Sequence, residues 1–147
     1  MIAPLTITLF VPGQLVNPKN RRAAHWSGAH AWASGWRRKT RLVWLAAGRP
    51  RLPGDAFVRL TMRVGRLWDR TNLNLGVAPV QDEAMYLICE GAVTRVTKHG
   101  RVQYVAPDGP EHQHLVEIGQ EVRPRDERGV LIEVEPRRDT LGLGGGR

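Results

Sequence analysis

The chain contains a single cysteine, Cys89, among its 147 residues, so no disulfide can form within it. One lone thiol suits a reducing, intracellular setting. No stretch approaches the ~18 uninterrupted apolar residues that a membrane span needs. The apolar start, Met1 to Val11, lacks a basic leader and a small-residue cleavage site, and reads as a first strand rather than a signal peptide. These absences point to a cytoplasmic protein with no membrane partner. Aromatics are sparse at 6%, but five of the nine are tryptophan. The apolar fraction of 41% is enough for one ordinary globular domain.

Acids are also scarce, though only in one half. Residues 1–68 hold twelve Lys/Arg and one acid, Asp55, a balance of +11. Residues 69–147 balance at −3, and the whole chain at +8. A solubility surplus need not be concentrated in this way. Charge segregated along the chain suggests a surface that meets a polyanion.

The hydrophobic pattern divides the chain into short elements. Leu5 to Val11 alternates as a strand, and Pro12-Gly13 ends it. Gln14 to Ala24 is a basic loop. Ser27 suits a helix cap, with the helix running to about Ala47. Trp26, Ala29, Ala33, Trp36, Thr40, Val43, Trp44 and Ala47 recur at three-to-four spacing on its apolar face. Ala56 to Val64 alternates as a central strand, with Phe57, Arg59, Thr61 and Arg63 facing one way. Pro79 to Cys89 reads as a second helix with Pro79 in its first turn. Arg95 to Val105 suggests a hairpin closed by His99-Gly100. Leu115 to Val122 and Val130 to Glu135 read as strands, with a turn at Arg128-Gly129. Asp139 to Arg147 reads as a disordered, Gly-rich tail. The expected fold is a single mixed α/β domain over 1–138, with a small central sheet and two main helices.

Two stretches carry more specific information. The first is the apolar strand, Pro12-Gly13, Asn17, Arg21-Arg22 and His25-Trp26, followed by a Trp/Arg-rich helix. The second is Asp69-Arg70-Thr71-Asn72-Leu73, then Val80-Gln81-Asp82, then Pro107-Asp108-Gly109-Pro110-Glu111. In order and spacing, across roughly residues 5 to 135, these resemble the RusA-type Holliday-junction resolvases. That family has a strand–loop–helix start, a D-x-D-N-L motif leaving the central strand, a helix with a Lys and an Asp, and a later Asp-Asp pair. This chain departs from the pattern in four places, one of them a Glu90 to Val105 stretch longer than the family's usual connector. Thr71 replaces the second acid of D-x-D-N-L, no lysine stands near Ala78, and the later pair is reduced to Asp108. The resemblance implies a homodimeric, Mg²⁺-dependent endonuclease, with Mn²⁺ as an alternative ion, that cuts branched or four-way junction DNA. Small resolvases of this kind often belong to phage, so a bacterial or phage-infected cell is implied.

The chemistry explains why acids matter. Phosphodiester hydrolysis needs an activated water and relief of phosphate charge, and Mg²⁺ supplies both. Mg²⁺ usually takes one or two carboxylates plus waters and substrate oxygens. Asp69, Asp82 and Asp108 are the expected metal ligands, and with Asn72 the expected catalytic set. Each has a plainer alternative. Asp69 also suits a loop acid paired with Arg66 or Arg70. Asp82 beside Glu83 suits a helix N-terminus. Asp108 sits in a turn sequence, and Asn72 suits a cap. The five histidines are too scattered for a zinc site.

The basic residues expected to meet DNA phosphates are Lys19, Arg21 and Arg22 in the loop, Arg37, Arg38, Lys39 and Arg41 on the helix, and Arg59 and Arg63 on the central strand. Such contacts locate DNA without reading its sequence. The missing acids leave a second expectation, a weakened relative that binds branched or duplex DNA without cutting it. An RNA-associated basic protein would explain the charge but not the acids.

Overall fold

The computed structural model describes residues 6–16, 26–89, 93–96, 102–105 and 114–137. The elements in chain order are β1 (Ile7–Pro12), α1 (Trp26–Ala46), β2 (Ala56–Val64), α2 (Arg70–Ile88), β3 (Val93–Val96), β4 (Val102–Val105), β5 (Leu115–Val122) and β6 (Gly129–Pro136). A short 3-10 turn at Arg125–Glu127 precedes β6. The fold is mixed α/β, as the sequence pattern implies.

Four strands form one sheet in the order β1-β6-β2-β5. β6 runs antiparallel to both β1 and β2, while β5 runs parallel to β2. Alternation decides which face is buried. Ile7, Leu9 and Val11 of β1, Val58, Leu60 and Met62 of β2, and Val130, Ile132 and Val134 of β6 are almost fully buried. Register aligns them in rows: Leu9, Ile132 and Leu60 are successive partners, as are Ile7, Val134 and Val58. Leu73, Val77, Val80, Ala84, Leu87 and Ile88 of α2 join the same core, with Trp36 of α1. Burying each Leu, Ile or Val contributes roughly 1.5–3 kcal/mol, so these rows and the two helices hold the domain together. β3 and β4 pair as a separate two-stranded hairpin.

Two helix boundaries differ from the sequence expectation. α1 already begins at Trp26, so Ser27 lies inside the helix rather than capping it. α2 begins at Arg70, nine residues before Pro79, which sits in its interior. The cause is Asp69. Its Oδ1 accepts from the Asn72 amide at 2.9 Å, and its backbone carbonyl accepts from Leu73 N at 2.9 Å. That cap starts the helix early. Pro79 then forfeits one intrahelical bond, and the buried stripe from Leu73 to Ile88 outweighs that loss.

The passage from β2 into α2 is clamped from two sides. Trp68 N donates to Gln120 Oε1 and Gln120 Nε2 donates back to Trp68 O, both at 2.8 Å. The Trp68 ring lies against Gly76, where a Cβ would stand 2.5 Å from Cζ3. Arg70 Nη1 also donates to Ile118 O at 2.6 Å. These bonds tie the corner carrying Asp69 to β5.

Candidate nucleic-acid interface

Asp69 stands exposed where the central strand gives way to α2. Besides capping the helix, it accepts at Oδ2 from Asn72 Nδ2 at 2.7 Å. Asn72 therefore holds both carboxylate oxygens, one through its amide and one through its side chain. The positive end of the helix dipole further favours the anion here.

Next to this corner lies a cleft of about 480 Å³ whose lining includes Gln14, Val16, Arg63, Arg66, Trp68 and Arg128. It joins the end of β1, the end of β2 and the start of β6. Arg66 is exposed. Arg63 Nε donates to Glu121 Oε1 at 2.9 Å, and Arg128 Nε donates to Arg123 O at 3.1 Å. The Glu121 carboxyl is held below the usual carboxylate range, chiefly by its hydrogen bond from Arg63. Arg63 and Arg66, from the end of β2 and the bend after it, thus meet Arg128, from the turn before β6, in one cleft that reaches Trp68. Arg66 and Arg128 were missed from sequence because each sits in a turn, where an arginine reads as surface filler.

The acid set does not converge as expected. Asp69 and Asp82 lie on one continuous helix, thirteen residues apart. At 1.5 Å per residue that is about 20 Å along the axis, far beyond a shared ion. Asp82 instead faces α1, with Oδ2 3.8 Å from Arg37 Nη2. The expectation that Asp82 joins Asp69 at one metal is therefore corrected: a continuous helix holds apart two acids that an irregular segment would let converge. Asp108 lies outside the described residues, as do Lys19, Arg21 and Arg22. Among the described residues, no group of three or more His, Cys, Asp or Glu is arranged to hold a metal. The Cys89 thiol is buried, and that burial pushes its pKa up to about 12, so it serves poorly as a nucleophile.

The cations expected at DNA also divide. Arg59 and Arg63 lie on the sheet face opposite the buried rows, facing Glu117 and Glu121 in the β2–β5 register. The Arg59–Glu117 pair spans 3.8 Å and is half exposed. Arg37, Arg38, Lys39 and Arg41 lie on α1, in the helical layer. They do not form one continuous surface with Arg59. Lys39 Nζ sits 4.7 Å from the Trp36 ring centroid. Arg41 donates from Nε at 3.2 Å and Nη2 at 2.9 Å to Oε2 of Glu83, which is 1% exposed. Glu83 was not singled out from sequence. A lone acid on the apolar stripe of α2 marks it once the helix is begun at Arg70.

Burial raises the Asp82 carboxyl above its ordinary value of 3.8, against an opposing pull from Arg37. An acid raised on folding destabilises the fold above its folded pKa, and the penalty vanishes below the unfolded value. Asp82→Asn is therefore expected to match or exceed wild type in stability at neutral pH. The two proteins should converge as pH falls below about 4. Thermal melts across pH check this, and a mutant less stable only at neutral pH would show that the Arg37 pair dominates.

No protein-family model matches the chain, and no curated protein matches its sequence. Among the described residues, no helix is long and apolar enough to cross a membrane.

Proposed function

We propose that the protein is a structure-selective DNA endonuclease that hydrolyses phosphodiesters in branched DNA with Mg²⁺ or Mn²⁺, working as a homodimer. The observation that carries this reading is the placement of the exposed Asp69–Asn72 corner beside an arginine-lined cleft at the end of the sheet. Ligands commonly meet α/β sheets at such strand ends. Arg66 and Arg128 bring positive charge to a phosphate, while Asn72 orients the Asp69 carboxylate. In sequence, the basic run Lys19, Arg21 and Arg22 follows Val16 of the cleft within a few residues. Asp69 fits one carboxylate ligand of a hydrated Mg²⁺, with Asp108 as the proposed second. The ion, when bound, would activate water and screen the phosphate charge. A four-way junction has two-fold symmetry, which suits a two-fold dimer presenting two such corners.

A second reading has a specific observation in its favour. With Asp82 about 20 Å from Asp69 and Thr71 in place of an acid, the ligand set is thin, which favours a protein that binds branched or duplex DNA without cutting it. Incubation of wild type with a synthetic four-way junction and Mg²⁺ or Mn²⁺ separates the two. Paired nicks on opposed strands are expected. Tight binding without nicks at any metal concentration moves the conclusion to the second reading, and no binding at low salt defeats both.

A further inference from the structure

We infer that the helical layer carries a second phosphate-binding site, formed by Ser34, Arg37, Arg38 and Arg41 of α1 and organised by the buried Glu83 of α2. The inference deepens the DNA reading and rests on it for the source of the phosphate.

Ser34, Arg37, Arg38 and Arg41 stand at i, i+3, i+4 and i+7, which stacks them along one face of α1. With Glu83 they line a pocket of about 290 Å³. At ~30 Å³ per water molecule, that is room for roughly ten waters, enough for a phosphate and part of its sugar. Guanidinium groups suit this ligand because their donors form a planar fork that matches two phosphate oxygens at once. The Ser34 hydroxyl adds a neutral donor.

Glu83 explains the order in the site. A carboxylate 1% exposed is costly to bury, and a hydrophobic side chain would fill the same volume of α2 more simply. What the carboxylate adds is direction. Its Oε2 takes both Nε and Nη2 of Arg41, which fixes the guanidinium at the pocket wall before any ligand arrives. A pre-fixed arginine loses less freedom on binding. Among the described residues, the pocket and its printed ion pairs hold three guanidinium groups and two carboxylates, Glu83 in the wall and Asp82 beside Arg37. The balance stays positive, so the pocket attracts an anion rather than a cation.

Its position matters as much as its chemistry. Glu83 follows Asp69 by fourteen residues of continuous helix, about 20 Å along the axis. A nucleic-acid strand advances 3.4 Å per nucleotide, so the cleft and this pocket would address phosphates about six steps apart, or on different arms. A protein that holds two phosphates at a fixed separation senses DNA shape rather than base sequence.

Two variants test the site. Arg38→Gln removes an exposed cation, and Arg41→Lys keeps the charge but loses the fork to Glu83. Thermal melts establish that both fold. Inorganic phosphate, titrated into wild type and followed by the arginine Nε–Hε NMR signals, is expected to move Arg38 and Arg41 well before Arg59. On a four-way junction and on a linear duplex, Arg38→Gln is expected to lower the slope of log affinity against log salt by about one. Arg41→Lys is expected to weaken junction binding. If phosphate moves the pocket signals but neither variant changes DNA binding, the site serves a small free phosphate instead. If phosphate moves Arg38 and Arg41 no more than Arg59, and the salt slope is untouched, the site is overturned. Nicking is scored in the same samples. A wild type that never nicks while Arg38→Gln still lowers the slope leaves the pocket standing and removes only the endonuclease reading.

Discussion

Replacing Gly129 with alanine is expected to remove much of the stability of the domain. Gly129 opens β6 at φ 152°, a conformation that L side chains rarely adopt. It is also squeezed between two strands, opposite Pro12 of β1 and Arg63 of β2. A Cβ there would stand 2.3 Å from the carbonyl oxygen of Val11 and 2.9 Å from Pro12 Cα. Backbone atoms cannot swing aside as a side-chain tip can, so the strands must part. Backbone strain of about 1–3 kcal/mol adds to overpacking of about 1–3 kcal/mol. A total near 4 kcal/mol consumes much of the 5–15 kcal/mol typical of a domain. Denaturant titration should show the midpoint falling steeply. Gly119→Ala is the control, since a Cβ there meets nothing within 4 Å; its effect should stay within about 1 kcal/mol. Equal stability of the Gly129 variant and wild type would refute the close approach of β1 to β6 at this end. Arg128 precedes Gly129, so a variant that does fold should also show a disturbed cleft.

The second large effect is on catalysis. Asp69→Asn is expected to lower junction nicking by roughly 10²–10³, the equivalent of about 3–4 kcal/mol of lost metal-assisted stabilisation. Asparagine caps helices about as well as aspartate, so stability should change by less than about 0.5 kcal/mol. Junction affinity in the absence of metal should hold or rise, because a negative charge leaves a cationic cleft. The isosteric change is informative because Asp69→Ala would also strip the cap from α2, at about 1 kcal/mol, and blur chemistry with folding. Nicking by Asp69→Asn at the wild-type rate would remove Asp69 from the reaction.

Much of the architecture was legible because alternation is an unambiguous signal. Ala56 to Val64 and Leu115 to Val122 have the bounds that their patterns suggest. α2 was harder to read. Its start is set by a side-chain bond from Asp69 to the Asn72 amide, and the interior Pro79 mimics a helix beginning. The spacing Leu73, Val77, Val80, Ala84, Ile88 was available, but the motif-like run from Asp69 to Leu73 invited a loop reading. That one boundary also misplaced Asp82: a spacing of about one helix length is plain in the sequence, but only a shared element turns it into a fixed distance. The Arg63, Arg66 and Arg128 cleft needed three-dimensional knowledge, because β6 inserts between β1 and β2 although it comes last in the chain.

The alignment of Arg59 with Glu117 and of Arg63 with Glu121 bears on how β5 finds its place as an edge strand. Sliding β5 by one residue would turn Val116 and Ile118 outward, which the core already forbids. Sliding by two preserves the apolar alternation, so hydrophobicity alone does not prevent it. Charge does. One direction sets Arg59 against Gly119 and Arg63 against Arg123, and the other sets them against Leu115 and Gly119. Each slide loses both attractive pairs, and the first adds a repulsion, with each cross-strand contact worth roughly 0.2–1 kcal/mol. The open face of the sheet thus works as a ratchet tooth, admitting a single seating of the strand whose neighbour holds the Trp68 corner.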